Sequence, residues 1–466
     1  MITAAVSAPA ETRRSSRWTP LTVVGACVGL AVLSLLLPVA MGFDPWTWIV
    51  WGREVSRLDL DTTGGASWKP LPVVVTTVLA PFGEAAPLLW AVIARTAGLL
   101  LLVGVFRLAH RFAGVAAGVI ATGLMVLTPD PDPRFVRILL EAHGAPIEAA
   151  LAIWAIDRHL EGQRATALLL GSGLALMRPE AWPFLGLYVL WLWWYEPRLR
   201  TASVVAVAVV PVLWFGGDWW GSGDPWHGAE AAQVGAGSAI DRFEDALTRV
   251  YEVVVLPAWI FAGAALVSAA RRRERTLLVL GIGTFAWCGL VVLMAVAFEY
   301  AALSRFLLPA GSLVCVLAGV GVVRTFAAVP RGGGRIAFAV VALVLAVPMI
   351  AARAVGIEDV VDQVRNRGEL AVDLEGAIAD AGGVDAVLAC GTVAIDGASL
   401  LRPHLAWELD VPINRVLVTA VPQTGPAMVF AIAGGADDRV MRAAGSGARF
   451  LVRSGTWSIY EIGCPG

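Results

Sequence analysis

Residues 13–46 read RRSSRWTPLTVVGACVGLAVLSLLLPVAMGFDPW, and this stretch decides the fold class. Arg13, Arg14 and Arg17 precede an apolar run from Leu21 to Met41, which ends on Gly42-Phe43-Asp44. A membrane-spanning helix needs about 20 predominantly apolar residues, and this run supplies them without a charge. It is too long for the apolar core of a signal peptide and lacks a small-x-small cleavage site, so it reads as a retained first membrane helix. Arginines before the run and an acidic residue after it place the N-terminus inside.

The same pattern recurs along the chain. Apolar runs at 21–41, 85–106, 113–128, 142–156, 166–177, 181–195, 202–216, 250–269, 277–298, 307–323 and 336–352 predict about eleven transmembrane helices. The segment 70–82 is apolar but short and holds Pro70, Pro72 and Pro81, so it reads as interfacial or re-entrant. Six alternate connections are basic: Arg13/Arg14/Arg17, Arg107/Arg111, Arg158/Arg164, Arg198/Arg200, Arg271 to Arg275, and Arg324/Arg331/Arg335. The others hold Asp44, Glu54, Asp59, Asp61, Asp130, Asp132, Asp218, Asp224, Asp241, Glu244 and Glu299. The positive-inside rule then puts the N-terminus in the cytoplasm and the C-terminus outside a plasma membrane.

Composition agrees. The chain is 58% hydrophobic and 15% charged, with mean hydropathy +0.73, where a soluble domain is about 45–50% apolar and about 25% charged. The net charge of −2 averages over two compartments and decides nothing. The basic loops follow from topology and anionic lipid, so nucleic acid is not implied. Gly332-Gly333-Gly334 lacks the GK[ST] ending of a phosphate-binding loop. No CxxC or HExxH spacing occurs.

Two long outer loops, 42–84 and 217–249, carry Trp, Gly, Pro and Asp and are expected to fold against the helices. Trp191, Trp193, Trp194, Trp219 and Trp220 match an aromatic belt at the water–lipid boundary. From about Asp359 the composition becomes that of a soluble domain. A helix is expected over 359–380 and another near Leu400–Leu409, with strands at Ala386–Cys390, Arg415–Ala420, Met428–Ala433 and Phe450–Val452. The expected organisation is a cytoplasmic tail over 1–20, a membrane domain over 21–352 and an extracytoplasmic α/β domain over 353–466. Outside the cytoplasm Cys390 and Cys464 can pair; the alternative is two free buried thiols.

After the first helix come Phe43-Asp44-Pro45-Trp46, then Trp68-Lys69-Pro70-Leu71-Pro72, then Phe82-Gly83 and Arg95. Further on stand Arg178-Pro179-Glu180 and Ser304-Arg305-Phe306-Leu307-Leu308-Pro309. Lys69 is the only lysine beside 34 arginines. In this order the motifs resemble the GT-C superfamily of polyprenyl-phosphate-sugar-dependent membrane glycosyltransferases, in the branch of protein O-mannosyltransferases and aminoarabinose transferases. That branch has an acidic residue opening its first outer loop, a Lys-Pro-Pro-Leu-like motif closing it, and an Arg-Tyr-x-x-Pro signature in the last outer loop. Here the second proline is displaced by one position. The resemblance covers roughly residues 20–325.

The resemblance implies a polytopic α-helical membrane protein that takes a sugar from a polyprenyl monophosphate and passes it to an envelope glycan, lipid or protein. Such a transfer needs a base for the acceptor hydroxyl, which one carboxylate supplies. It also needs cations against the charge on the departing phosphate. Asp44 is accordingly the expected base, and Lys69 and Arg305 the expected phosphate ligands; the bland readings are a loop carboxylate and two cations snorkelling to headgroups. A single displacement inverts the anomeric centre, whereas retention would need a second close carboxylate.

Arg178 and Glu180 read either as a structural ion pair or as substrate contacts. Glu141, His143, Asp218, Asp224 and His227 are further outer-side residues placed to face the same cavity or an acceptor. Asp130-Pro131-Asp132-Pro133 stands where oligosaccharyltransferases of the superfamily carry a metal-binding acidic pair. With Asp44 these carboxylates suit Mg²⁺ or Mn²⁺, and equally suit a rigid solvated turn. The rival function is a transporter or flippase of a lipid-linked precursor. Against it stand the lack of internal repeats and the two long folded loops.

Overall fold

The computed structural model describes residues 20–127, 135–233, 237–422, 425–433 and 437–464. Asp130 and Asp132 therefore lie outside the described residues. The described chain is mostly helical, with one small sheet near the C-terminus.

Among the described residues, five helical stretches are long and apolar enough to cross a membrane: Pro70–Ala113, Pro197–Ser222, Arg275–Phe298, Ser304–Ala328 and Gly333–Asp380. The pair Ala239–Glu252 and Leu256–Arg272, bent by 80° at its junction, makes a sixth if taken as one span. Other expected spans fold as apolar helices of 12–17 residues, among them Pro20–Leu33, Val115–Val126, Ala145–Leu160, Arg164–Ala175 and Trp182–Tyr195. This is a multi-pass membrane protein.

The helix Leu308–Ala328 is the pillar of the bundle: every residue from Leu308 to Gly321 is buried. It packs against Ala86–Ala113, Val115–Val126 and Leu256–Arg272. Close approach requires glycine here. A methyl group at Gly319 or Gly321 would overlap the carbonyl oxygens of Ala117 and Phe261.

The outer loops are more helical than the sequence suggested. Loop 42–84 contains the helix Phe43–Ser56 and the helix Pro70–Leu79. Pro70 and Pro72 lie in the first turn of the latter, where a missing N–H breaks no helical bond. That helix, in the segment expected to be interfacial or re-entrant, runs through a tight turn at Gly83 (φ +54°) into Ala86–Ala113. The expected loop 217–249 is largely helical too: its first residues continue the helix Arg200–Ser222, and its end is Ala239–Glu252. Gly217 looks like a helix breaker, yet it makes room for the Trp68 indole, which a methyl group would overlap.

The helix Gly333–Asp380 runs unbroken across the expected domain boundary and carries the C-terminal domain. That domain has five strands: β1 (Thr392–Asp396), β2 (Val416–Val418), β3 (Ala427–Ile432), β4 (Ala448–Ser454) and β5 (Trp457–Ile462). Their order is β2-β1-β3-β5-β4, with β1 parallel to β2 and β3, and β5 antiparallel to β3 and β4. The expected strand at Ala386–Cys390 is instead the helix Val384–Ala389, entered through Gly383 at φ +87°. Strands β1 and β5 were not expected. Cys390 and Cys464 form a disulfide, with Cα atoms 4.9 Å apart.

The domain sits on the helix Phe43–Ser56. Arg53 donates to the carbonyls of Trp407 and Val411 at 3.0 and 3.2 Å and pairs with Asp410 at 3.0 Å. Trp46 stacks on His404 with ring centroids 4.0 Å apart. Asn414 donates to Asp61 at 2.6 Å. The helix that bears Asp44 is thus fixed from its far side by the C-terminal domain.

Candidate functional site

A cavity of about 710 Å³ opens beside the first turn of the helix Phe43–Ser56. Asp44 faces it from that turn, where the helix dipole favours a carboxylate. Gly42 precedes it because a Cβ there would lie 2.8 Å from the His143 ring. Lys69 lines the cavity from the position just before the helix Pro70–Leu79. Arg178 lines it from the turn before Pro179, and Arg305 from the short 3-10 turn Ser304–Leu307 that opens the pillar helix. Four segments far apart in sequence thereby bring one carboxylate and three cations together.

Arg305 Nη2 donates to Asp44 Oδ2 at 3.0 Å. Burial alone would raise the Asp44 pKa, but Arg305, Lys69, His143 and Arg178 outweigh it and hold the carboxyl below its ordinary value. Asp44 is therefore ionised at neutral pH. Lys69 is almost wholly enclosed; its Nζ lies 3.7 Å from Glu148 Oε1 and 5.2 Å from the Trp48 ring centroid. Burial, reinforced by Arg178, lowers its pKa to about 8 against the opposing pull of Glu148 and Asp44.

Behind these groups lies a second layer, of which sequence reasoning named Arg178 and Glu180 but missed Glu148 and Tyr300. Arg178 Nε donates to Glu148 Oε2 at 2.7 Å, and its Nη1 to the Tyr300 hydroxyl at 3.2 Å. Tyr300 in turn donates to Glu180 Oε1 at 2.9 Å. The guanidinium lies 3.6 Å over the Phe306 ring. Arg178, Glu148 and Glu180 are each at most 1% exposed, so the network fixes Arg178 from behind while its open side faces the cavity. The signal for Glu148 was a lone carboxylate inside the apolar run 142–156, which must find a cation. Tyr300 carried no such signal.

The remaining sequence candidates divide. Asp218 lines the cavity; its Oδ2 accepts from the Gly228 N–H at 3.1 Å, and its Oδ1 is buried without a partner. Glu180 supports Tyr300 and does not itself line the cavity. Glu141 and His143 also stand behind it: they pair at 3.0 Å, and Glu141 binds Arg367 of the long C-terminal helix at 2.6 Å. Asp224 caps a local turn by accepting from the Trp226 N–H at 2.9 Å. His227 opens the short helix His227–Glu230 and is not on the cavity wall.

One group among the described residues has metal-ligand spacing: Glu375, His404 and Glu408, with ligating atoms within 4.8 Å of one another. His404 Nε2 already meets Glu408 at 3.1 Å, and its Nδ1 is buried with no acceptor. Metal-bound imidazoles almost always donate their second N–H to an acceptor, so this ring does not fit the role.

The architecture superimposes on ArnT from Cupriavidus metallidurans, in its apo state and bound to undecaprenyl phosphate. In both cases the TM-score is 0.55 at 17% identity, over 96% of this chain and 99% of that one. The chain shares the fold of that protein. An oligosaccharyltransferase of Archaeoglobus fulgidus, in complex with Zn and sulfate, matches with TM-score 0.51 at 14% identity, over 88% of this chain and 68% of that one. No protein-family model and no curated protein matches the chain by sequence. The likeness to these structures thus rests on three-dimensional form, and the chemistry must be argued from the cavity.

Proposed function

We propose that this protein is an inverting glycosyltransferase that uses a polyprenyl monophosphate sugar at the outer membrane face. The observation that carries the reading is the Asp44–Arg305 pair in a cavity also lined by Lys69 and Arg178. A phosphate entering the cavity competes with Asp44 for Arg305, and Lys69 and Arg178 supply further positive charge. Drawing Arg305 toward the phosphate frees the Asp44 carboxylate. Asp44 then accepts the proton of the acceptor hydroxyl as that oxygen attacks the anomeric carbon. The bond from that carbon to the phosphate oxygen breaks, and the electron pair leaves with the polyprenyl phosphate, stabilised by the three cations. One displacement gives inversion.

The carrier class is supported by the fold shared with ArnT, whose structure was solved bound to undecaprenyl phosphate. The acceptor is an envelope glycan, lipid or protein, and the transferred group a hexose or pentose. We further infer about eleven membrane passes, a cytoplasmic N-terminus and an extracytoplasmic C-terminal domain from about residue 353, because every inside connection so assigned is basic. No step is routed through Mg²⁺ or Mn²⁺.

The test is reconstitution in liposomes with polyprenyl-phosphate sugars. Sugar transfer with release of polyprenyl phosphate, and product of inverted anomeric configuration by NMR, are expected. Movement of an intact lipid-linked precursor across the bilayer without cleavage would assign the chain to transport instead.

A further inference from the structure

The helix Ala239–Glu252 has three distinct faces. Ile240, Phe243, Leu247 and Tyr251, spaced three and four apart, form one apolar stripe, and each is 46–69% exposed. Asp241, Glu244, Asp245 and Glu252 lie to one side of that stripe. The third face, with Arg242, Ala246 and Arg249, meets the bundle. A capping box at Ser238–Asp241 fixes the helix start.

Four exposed large apolar side chains in a row are costly in water, and their surroundings say what covers them. The helix packs beside the end of Arg275–Phe298, an apolar stretch long enough to span. At its own C-terminus the chain bends by 80° into Leu256–Arg272, whose Leu256 and Ile260 are 50% and 60% exposed. The stripe is therefore continuous with the apolar outer surface of the bundle, and it stands at the level where a spanning helix ends.

The bundle-facing arginines tie this helix to the site. Arg249 Nη1 donates to the carbonyls of Ala301 and Ala302 at 3.1 and 3.3 Å. Arg242 donates to Val296 O at 3.4 Å and pairs with Glu299 at 3.5 Å. The segment so held contains Tyr300 and leads directly to Arg305.

We propose that the helix Ala239–Glu252 lies in the plane of the leaflet at the cavity's level, with its Ile240–Tyr251 stripe among acyl chains, and that this seating positions Tyr300 and Arg305. Immersion stands independently of the reaction; the consequence for Arg305 rests on the proposed carrier-phosphate role. Amphipathic helices bind the interface through buried apolar area, so the acidic side faces water and the stripe faces hydrocarbon.

The experiment is nitroxide accessibility on the full chain in phosphatidylcholine nanodiscs, with Cys27, Cys288 and Cys315 replaced by alanine. Single labels enter at Phe243→Cys, Leu247→Cys, Asp245→Cys and Thr248→Cys, each checked for monodispersity. Labels at 243 and 247 should be relaxed by oxygen and shielded from a water-soluble nickel chelate, and labels at 245 and 248 the reverse. Nickel access at all four would overturn the seating. Shielding of 243 and 247 from both reagents would also overturn it, because protein and not lipid would cover the stripe. A second readout is undecaprenyl phosphate binding to Leu247→Glu in the same nanodiscs. Weakened binding supports the coupling to Arg305; unchanged binding with lipid-exposed labels would leave the seating intact and overturn the coupling.

Discussion

The pillar helix Leu308–Ala328 and the first half of the helix Gly333–Asp380 are nearly indistinguishable by apolar content, yet they live in opposite environments. The most apolar window of the pillar is 89% buried inside the protein, and that of its successor 0%. What separates them is residue size and placement. The pillar carries Gly311, Gly319 and Gly321 where neighbouring helices touch its backbone, and Arg305 stands in the turn that opens it. The next helix leaves Ile336, Val340, Leu343, Val344 and Leu345 exposed on its surface and serves as a strap that carries the C-terminal domain. In a bilayer apolar surface does not by itself drive helices together; close packing does. Of the charged groups in the cavity, Arg305 is accordingly anchored by the tightly packed pillar, while the C-terminal domain hangs on the strap.

Three perturbations probe that contrast. The largest effect is expected in the strap's cargo: Cys390→Ala removes a link across 74 residues, a change that typically costs about 2–5 kcal/mol in a small extracellular domain. The domain's unfolding transition, followed by limited proteolysis against temperature, should fall while the bundle's holds. A common drop would mean the two regions are one folding unit. Next, Gly321→Val should destabilise the bundle by about 1–3 kcal/mol through overpacking, whereas Leu345→Ala on the strap should stay within about 0.5 kcal/mol. Equal losses in detergent melting curves would erase the distinction between pillar and strap.

The smallest effect is a pH response at the foot of the pillar. Lys69, with its pKa near 8, is charged below that value and neutral above it. Binding of undecaprenyl phosphate should therefore weaken as pH rises from about 7 to about 9 and hold steady in Lys69→Arg, since arginine keeps its charge. Asp44 adds no limb in this range, because Arg305, Lys69, His143 and Arg178 outweigh its burial and hold its pKa below the usual carboxylate value. A flat wild-type profile would remove Lys69 from the phosphate site.

Much of this was readable in the chain. Recurrent long apolar runs gave the membrane character, and Asp44, Lys69, Arg178 and Arg305 do share one cavity. What escaped follows from short-range ambiguity. Ala386–Cys390 is an apolar run too short to tell helix from buried strand, and the positive-φ Gly382-Gly383 pair before it starts a helix. Thr392–Asp396 holds three β-branched residues, and it escaped because a five-residue run between Gly391 and Gly397 is too short to stand out from its surroundings. Glu141 and His143 were expected at the cavity and instead tie the strap, through Arg367, to the turn beside Gly42. Such pairings join segments more than 200 residues apart, and spacing within one sequence does not encode them.

The central claim is that Asp44 is the base and Arg305 the phosphate ligand, and one paired measurement tests it. Undecaprenyl phosphate binding and single-turnover sugar transfer would be followed for wild type, Asp44→Asn and Arg305→Ala in the same bilayer. Asp44→Asn should bind at least as tightly as wild type, since Arg305 is released from its partner, yet transfer about 10²–10⁴-fold more slowly. Arg305→Ala should lose binding and transfer together. Near-normal transfer by Asp44→Asn would contradict the account outright.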